Sequence, residues 1–359
     1  MIRRIVPLVA AAALAITPAL TACGSSSSSS SANGLPTVKL MVGGIDKQIY
    51  LPYKLADQLG FYKKYGVNVI LSTEQSGGVG AEDAMVSGQV DMAGAWYNHT
   101  IDYGLQGKSV EDVVQLSGAP GERIMCSNNS GVHTPADIKG KSMGVTDLGS
   151  GTDTLTQFVA SKGGVAHSDY HTVAVGAGAT AIAALQHGTA DCVMTTQPTV
   201  QAIQSQHIGY SAFDLATSAG ATKLLGGAWP AAGVLAKTDW VNQNKDTVQK
   251  VVDALVATMN WIHTHSAADV EKAMPTEYTN NGLVTPTTYT AALQQDYGQF
   301  LPDGLMPAGG PKTIFDMYQT IGTDPSKVSI ASTFTNDFVN SALKLEGITP
   351  TTTPAGPNG

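Results

Sequence analysis

A short pattern that occurs twice constrains this chain more than any other feature. Ala84-Met85-Val86-Ser87-Gly88-Gln89-Val90-Asp91-Met92-Ala93 has a counterpart 100 residues further on, Ala184-Leu185-Gln186-His187-Gly188-Thr189-Ala190-Asp191-Cys192-Val193. Each copy reads as a helix end, a glycine stop, a turn carrying an aspartate, and then a buried strand. Any α/β unit needs such a turn, but the shared spacing of Ala, Gly and Asp favours two lobes built on one plan. Two such lobes imply a cleft between them.

The residues around the first copy set the sheet type. Residues 38–42 predict a strand ended by Gly43 and Gly44, and residues 52–64 have helical spacing, with Leu55, Leu59 and Tyr62 on one stripe. Residues 67–71 predict the next strand, and the loop 74–78 opens a helix running through Met85. Residues 90–93 predict a third strand, followed by a loop over 94–98. Strands alternating with helices imply a mostly parallel sheet covered by helices, an α/β class. Further on, residues 239–263 predict one long helix with Val248, Val251, Val252, Leu255 and Met259 on one face. Residues 346–359, rich in threonine and proline, are expected to be a disordered tail.

The N-terminus has another character. Arg3 and Arg4 precede an apolar run from Ile5 to Leu20, interrupted by Pro7 and Pro18 and closed by Leu20-Thr21-Ala22-Cys23. This order fits a bacterial lipoprotein signal over residues 1–22, cleaved to leave Cys23 for lipidation ahead of a Ser-rich linker over 23–36. The alternatives are an ordinary secretory signal or an N-terminal anchor. An uncleaved span needs ~20 apolar residues, and this run is shorter. The expected location is the cell membrane, lipid-anchored on its extracytoplasmic face.

Charge and cysteines narrow the chemistry. The formal net charge is −8, and loss of Arg3 and Arg4 makes the body more acidic still. That excludes nucleic acid as a partner, which requires a basic face. Arg123 is then the one arginine left, so an anionic ligand would have to be held by it, by lysines, or by N–H groups and hydroxyls. Outside the cell, Cys126 and Cys192 suggest a disulfide; the alternative is a pair of buried thiols.

Gly60-Phe61-Tyr62-Lys63-Lys64-Tyr65-Gly66-Val67-Asn68-Val69 resembles the "GFFKKEGLDV" signature of substrate-binding proteins for sulfonate, taurine, nitrate and thiamine-precursor ABC importers. The resemblance continues through 87–91, Thr134-Pro135-Ala136-Asp137-Ile138-Lys139-Gly140-Lys141, Gly144-Val145, Ala184-Leu185, Gly188 and Asp191. It implies a type II periplasmic-binding-protein fold, with lobe 1 over 37–120 and 228–345, lobe 2 over 121–227, and glycine- and proline-containing hinges at both crossings. It also implies a monomer that holds a small-molecule ligand between its lobes and delivers it to an ABC permease and its ATPase. The family's ligands suggest a sulfonate, a nitrate-like anion or a pyrimidine or other heterocycle. Two alternatives are a ligand-sensing receptor subunit and an extracellular enzyme of the thiamine-pyrimidine-synthase-like branch. The cysteine-rich motif of that iron-dependent branch is absent.

Ligands of such sheets gather beyond the carboxyl ends of the strands. In lobe 1 this selects Asp46, Lys47 and Gln48; Gln75, Ser76 and Gly77; and Trp96, Tyr97 and Asn98. In lobe 2, Asp147, Gly149, Ser150, Gly151 and Thr152 precede a helix, where glycines allow close approach and unpaired N–H groups attract negative charge. Simple N-capping by Ser150 or Thr152 is the competing role. Thr195 and Gln197 and the hinge residue Trp229 complete the set, the aromatics being suited to enclosing a ring or apolar body. Arg123 reads as a structural hinge residue. No H-E-x-x-H, G-x-S-x-G or Cys-x-x-Cys pattern appears, so neither catalytic residues nor a metal or cofactor is expected.

Overall fold

The repeated segments occupy matching places in two separate sheets, and the aspartate explains why they recur. In a computed structural model, which describes residues 34–74 and 78–359, the first sheet has the order β2-β1-β3-β10-β4 and the second β7-β6-β8-β5-β9. The first contains β1 (Thr37–Val42), β2 (Asn68–Thr73), β3 (Met92–Trp96), β4 (Val110–Gln115) and β10 (Ala232–Lys237). The second contains β5 (Glu122–Ser127), β6 (Ser142–Val145), β7 (His171–Ala174), β8 (Cys192–Thr196) and β9 (Gly209–Leu215). Asp91 accepts from Lys39 N–H at 2.8 Å and returns its own N–H to the Lys39 carbonyl at 2.9 Å. Asp191 does the same with Ser142, at 2.8 Å in both directions. Each aspartate thus pins one strand to a parallel neighbour, β3 to β1 and β8 to β6. Gly88 and Gly188 sit at φ +82° and +70°, the left-handed conformation that ends a helix and that glycine adopts most cheaply.

The sheets are mixed, where a mostly parallel sheet was expected. β1 runs parallel to β2 and β3, but β10 is antiparallel to β3 and β4; likewise β6 is parallel to β7 and β8, and β5 antiparallel to β8 and β9. In each lobe the reversed strand is the one entering from the other lobe. The chain crosses between β4 and β5 and returns between β9 and β10, so each sheet is completed by a strand distant in sequence.

Several expected elements are corrected. The single helix over 52–64 is two, Leu51–Gln58 and Phe61–Lys64, because Gly60 turns left-handed at φ +71°. The long helix over 239–263 is Thr238–Gln243 and Lys245–Thr264, separated at Asn244, and its five stripe residues are fully buried. The tail over 346–359 is hydrogen-bonded back to the body. Thr351 and Thr352 N–H groups donate to Asp303 Oδ2 at 2.9 and 2.8 Å, and Ala355 N–H donates to the Met306 carbonyl at 2.8 Å. Composition alone could not reveal that receptor surface. The helices after residue 264 also touch the second sheet's lobe: Pro286–Asp296 contacts Thr199–Ser205, and Gly310–Thr320 contacts Gly151–Lys162.

Residues 1–22, Cys23, most of the linker, and Gln75, Ser76 and Gly77 lie outside the described residues. Among the described residues, no helix is long and apolar enough to cross a membrane.

Candidate ligand cleft

The carboxyl ends of the parallel strands of both sheets meet across one seam. Gln48, just after β1, donates its backbone N–H to the Gln197 carbonyl beyond β8 at 2.9 Å, a bond from lobe to lobe. At the end of β3 the Trp96 ring covers Gly151, the first residue of the helix Gly151–Lys162, so closely that a methyl group there would overlap it. Trp229, at the return crossing, stacks on Phe158 of that helix with ring centroids 5.7 Å apart. Both tryptophans are buried, Trp96 at 5% and Trp229 at 1% exposure. Aromatic bodies thus wall a seam that two polar strand ends line.

The loop before the helix spends most of its polar groups on itself. Ser150 caps the helix, accepting from Asp153 N–H, and the Thr146, Ser150 and Thr152 hydroxyls form a triangle with sides of 2.8–3.1 Å. Gly149 N–H donates to Asp153 Oδ2 at 2.9 Å, and Asp147 accepts from Leu148 N–H at 2.8 Å. Gly149 is exposed and Asp147 half-buried, while Gly151 is the point of contact with lobe 1. The geometry therefore favours the capping role for Ser150, while Thr152 Oγ1 accepts from Thr146 N–H at 3.0 Å.

Other expected residues separate in the same way. Asp46 is exposed. Lys47 is buried, its Nζ donating to the Gly43 carbonyl at 2.9 Å. Tyr97 is engaged by Thr333, hydroxyl to hydroxyl at 2.6 Å, and serves packing. Asn98 donates to Asp102 and to the Tyr318 hydroxyl, each at 3.3 Å. Arg123 is committed to a clamp: it makes two bonds to Asp296 at 2.7 and 2.8 Å and a third contact to Asp214 at 3.1 Å. Sγ of Cys126 is bonded to Sγ of Cys192 between β5 and β8. That same ladder sets Glu122 opposite Thr196 and Arg123 opposite Thr195.

What remains unpaired marks the seam as a site. Gln48 Oε1, Thr195 Oγ1, Thr196 Oγ1, Gln197 Nε2 and Trp229 Nε1 are buried with no hydrogen-bond partner among the described residues. Leaving such a group unsatisfied costs about 1–3 kcal/mol each. Unpaired groups near the strand ends of both lobes are ones that a bound polar molecule would satisfy.

The structure adds acidic groups that the sequence did not single out. Glu82, 1% exposed in the helix Val79–Val86, places Oε2 3.1 Å from His99 Nδ1 and leaves Oε1 unpartnered. Asp102 Oδ2 lies 3.1 Å from the same His99 nitrogen, and the Tyr318 hydroxyl donates to Asp102 Oδ1 at 2.6 Å. Glu122, at the first position of β5, is 3% exposed and leaves Oε2 unpartnered. Burial, aided by Asp102, Glu74 and Asp83, holds the Glu82 carboxyl well above the ordinary range. Burial likewise pushes Glu122 up to about 8, against the pull of Lys47 and Arg123. The sequence signal available was the i, i+3 spacing of His99 and Asp102 directly after the Trp96 loop.

The NMT1/THI5-like family model matches residues 49–268, more than half of the chain. The chain belongs to that family. A solved structure from Bordetella bronchiseptica RB50 is 30% identical, with TM-score 0.81, covering 87% of this chain and 98% of its own. The alkanesulfonate-binding protein SsuA from Xanthomonas axonopodis pv. citri, bound to MOPS, is 18% identical with TM-score 0.67, covering 83% of this chain and 98% of its own. The desulfurization enzyme DSZB shares the fold at 16% identity and TM-score 0.58, covering 86% of this chain and 99% of its own. The type II periplasmic-binding-protein architecture is thereby established, and the fold alone serves both binding proteins and an enzyme.

Proposed function

We propose that this family member is an extracytoplasmic solute receptor, tethered through lipidated Cys23, that delivers a small molecule to an ABC permease driven by its ATPase. The observation that carries this reading is the interlobe seam: strand ends of the two lobes meet at the bond from Gln48 N–H to the Gln197 carbonyl, leave buried polar atoms unpaired, and are flanked by Trp96 and Trp229 packed on the helix Gly151–Lys162. A molecule satisfying both sides at once favours the closed arrangement over an open one, because only the closed state offers it both sets of contacts. The family membership and the SsuA-like fold support the same reading. The receptor acts as a monomer, since one chain supplies both walls of the cleft.

The test is to incubate purified protein with small-molecule pools, isolate the complex, and identify the bound molecule chemically. A compound that raises the melting temperature with concentration and is recovered unchanged supports the receptor. One observation favours a second reading, an enzyme: His99 Nδ1 is held between Glu82 and Asp102, as a proton-transferring imidazole is oriented. Conversion of the bound compound, abolished in His99→Gln, would replace the receptor by that enzyme.

A further inference from the structure

The contact between Trp96 and Gly151 does more than wall the seam, an inference that rests on the receptor reading of the same site. The helix Gly151–Lys162 follows β6 in lobe 2 and sets Gly151, Leu155 and Phe158 on one face, at i, i+4 and i+7. Two tryptophans from outside that helix's lobe hold this face. Trp96, the last residue of β3, covers Gly151, and Trp229, from the return crossing, stacks on Phe158 with ring centroids 5.7 Å apart. Closing the lobes is what lays the helix on the Trp96 ring.

The helix itself does not require glycine at 151. Gly151 is not among the left-handed glycines, it opens the helix directly behind the Ser150 cap, and alanine is the better helix former. A methyl group there would stand within 3.1 Å of three Trp96 ring atoms, Cε3, Cδ2 and Cζ3, and outside the helix's own chain these are its nearest neighbours. The obstacle to a side chain therefore lies in the other lobe. The scaffold does not require the tryptophan either. At the repeat's constant offset Trp96 corresponds to Thr196, as Glu82 does to Ile182, and β8 ends on that threonine where β3 ends on the tryptophan. Ring and glycine are matched to each other across the seam.

We propose that Trp96 and Gly151 form a latch: their contact, made by the protein's own atoms, stabilises the closed arrangement and sets how much of the receptor is closed before a solute arrives. Trp96 is thus a positioning residue for closure, and the ring face laid on Gly151 is taken up by the helix. A solute that bridges both lobes binds the closed form, so its apparent affinity scales with the closed fraction. The latch tunes affinity for every solute alike, while the polar strand ends choose among them.

The experiment measures the separation of the lobes in the purified full chain. Keto amino acids introduced at Gln89 and Thr189 carry the spin labels, which leaves all three cysteines untouched. Both positions are exposed, occupy equivalent places in the repeat, and precede strands whose far ends reach the seam. Double electron–electron resonance then reads the population at the separation of the structure, closed, against any other, open. The expected result is a closed population in the wild type, a closed-to-open ratio reduced about tenfold or more in Gly151→Ala, and recovery in part when Trp96→Ala removes the ring that the methyl group meets. Three results overturn the latch and leave the receptor standing: no closed population in the wild type, two populations that Gly151→Ala leaves unchanged, or a loss that the double variant does not recover. The closed separation alone in every variant overturns the latch and counts against the receptor as well. If Gly151→Ala loses its native circular dichroism, Trp96→Ala decides: a closed-to-open ratio below that of the wild type supports the latch, and an equal one overturns it.

Discussion

Lobe 1 and lobe 2 share a skeleton and differ at the tips of their strands. Both tie a strand to its parallel neighbour through an aspartate, β3 to β1 by Asp91 and β8 to β6 by Asp191, and both end the preceding helix on a left-handed glycine. Beyond β3 the chain places Trp96, Asn98 and His99; beyond β8 it places Gln197, Pro198 and Thr199. Lobe 1 thus brings an aromatic wall and an acid–imidazole group, while lobe 2 brings hydroxyls, an amide and a helix N-terminus. The lesson is that a repeat conserves what a fold needs, so the positions where the copies diverge are the ones released for function.

Exchanging residues across the repeat tests this most directly and has the largest expected effect. Ile182→Glu should cost about 3 kcal/mol or more in chemical denaturation, because a carboxyl enters an apolar cluster without a partner. Glu82→Ile should cost less than Ile182→Glu, because burial already disfavours the charge of this carboxyl and His99 keeps Asp102 as a partner. Equal losses from both exchanges would mean that Glu82 is structural, and the distinction between the lobes would collapse.

A pH series sharpens the comparison. Glu122 is held up to about 8 by burial, so the folded chain keeps a proton that the unfolded chain gives up near 4.5. Its contribution to stability is full below about 4.5 and is lost as pH rises through about 8. The change is on the order of 1 kcal/mol per pH unit at most over that window. In Glu122→Gln the ligand-free protein should show a flatter profile over the same range. An unchanged slope would assign the pH dependence to other groups, Asp112 first, which burial also raises to about 8.

How much of this was readable beforehand depends on range. The repeat, the glycine stops and the signature at 60–69 are local patterns, and they led to the two-lobe fold and its family. Trp96, Gln48 and Gln197 were selected because strand ends are where such sheets bind. Glu82 was not, since a glutamate on a short helix reads as surface until the packing around it is known. The clamp between Arg123 and Asp296 and the bond from Gln48 Nε2 to the Tyr289 carbonyl join residues far apart in sequence, and nothing local announces them. The tail over 346–359 has a composition that suits disorder, and its bonds to Asp303 join it to a residue elsewhere in the chain.

The pinning aspartates should behave alike. Asp91→Ala and Asp191→Ala each remove the acceptor of one strand-edge N–H, at Lys39 and at Ser142, with an expected cost of about 1–3 kcal/mol. Values that agree within about 0.5 kcal/mol in denaturant titrations would mark the skeleton as equivalent in the two lobes. A large gap would show that one lobe depends on its pin more than the other.

The smallest effect belongs to the glycine stops, and it is the finest test of equivalence. Gly88→Ala and Gly188→Ala both force an alanine into the left-handed region, at φ +82° and +70°, for about 1 kcal/mol each. Their surroundings differ slightly: a methyl group at Gly88 would stand 3.7 Å from Lys237 Nζ, whereas at Gly188 it would meet nothing within 4 Å. Ordinary van der Waals contact at that distance adds no clash, so the backbone cost should dominate and the two losses should match. Because neither glycine lies at the strand tips, ligand affinity should be unchanged in both variants. A variant that weakened binding while losing only this much stability would show that the shared skeleton, and not the divergent tips alone, shapes the cleft.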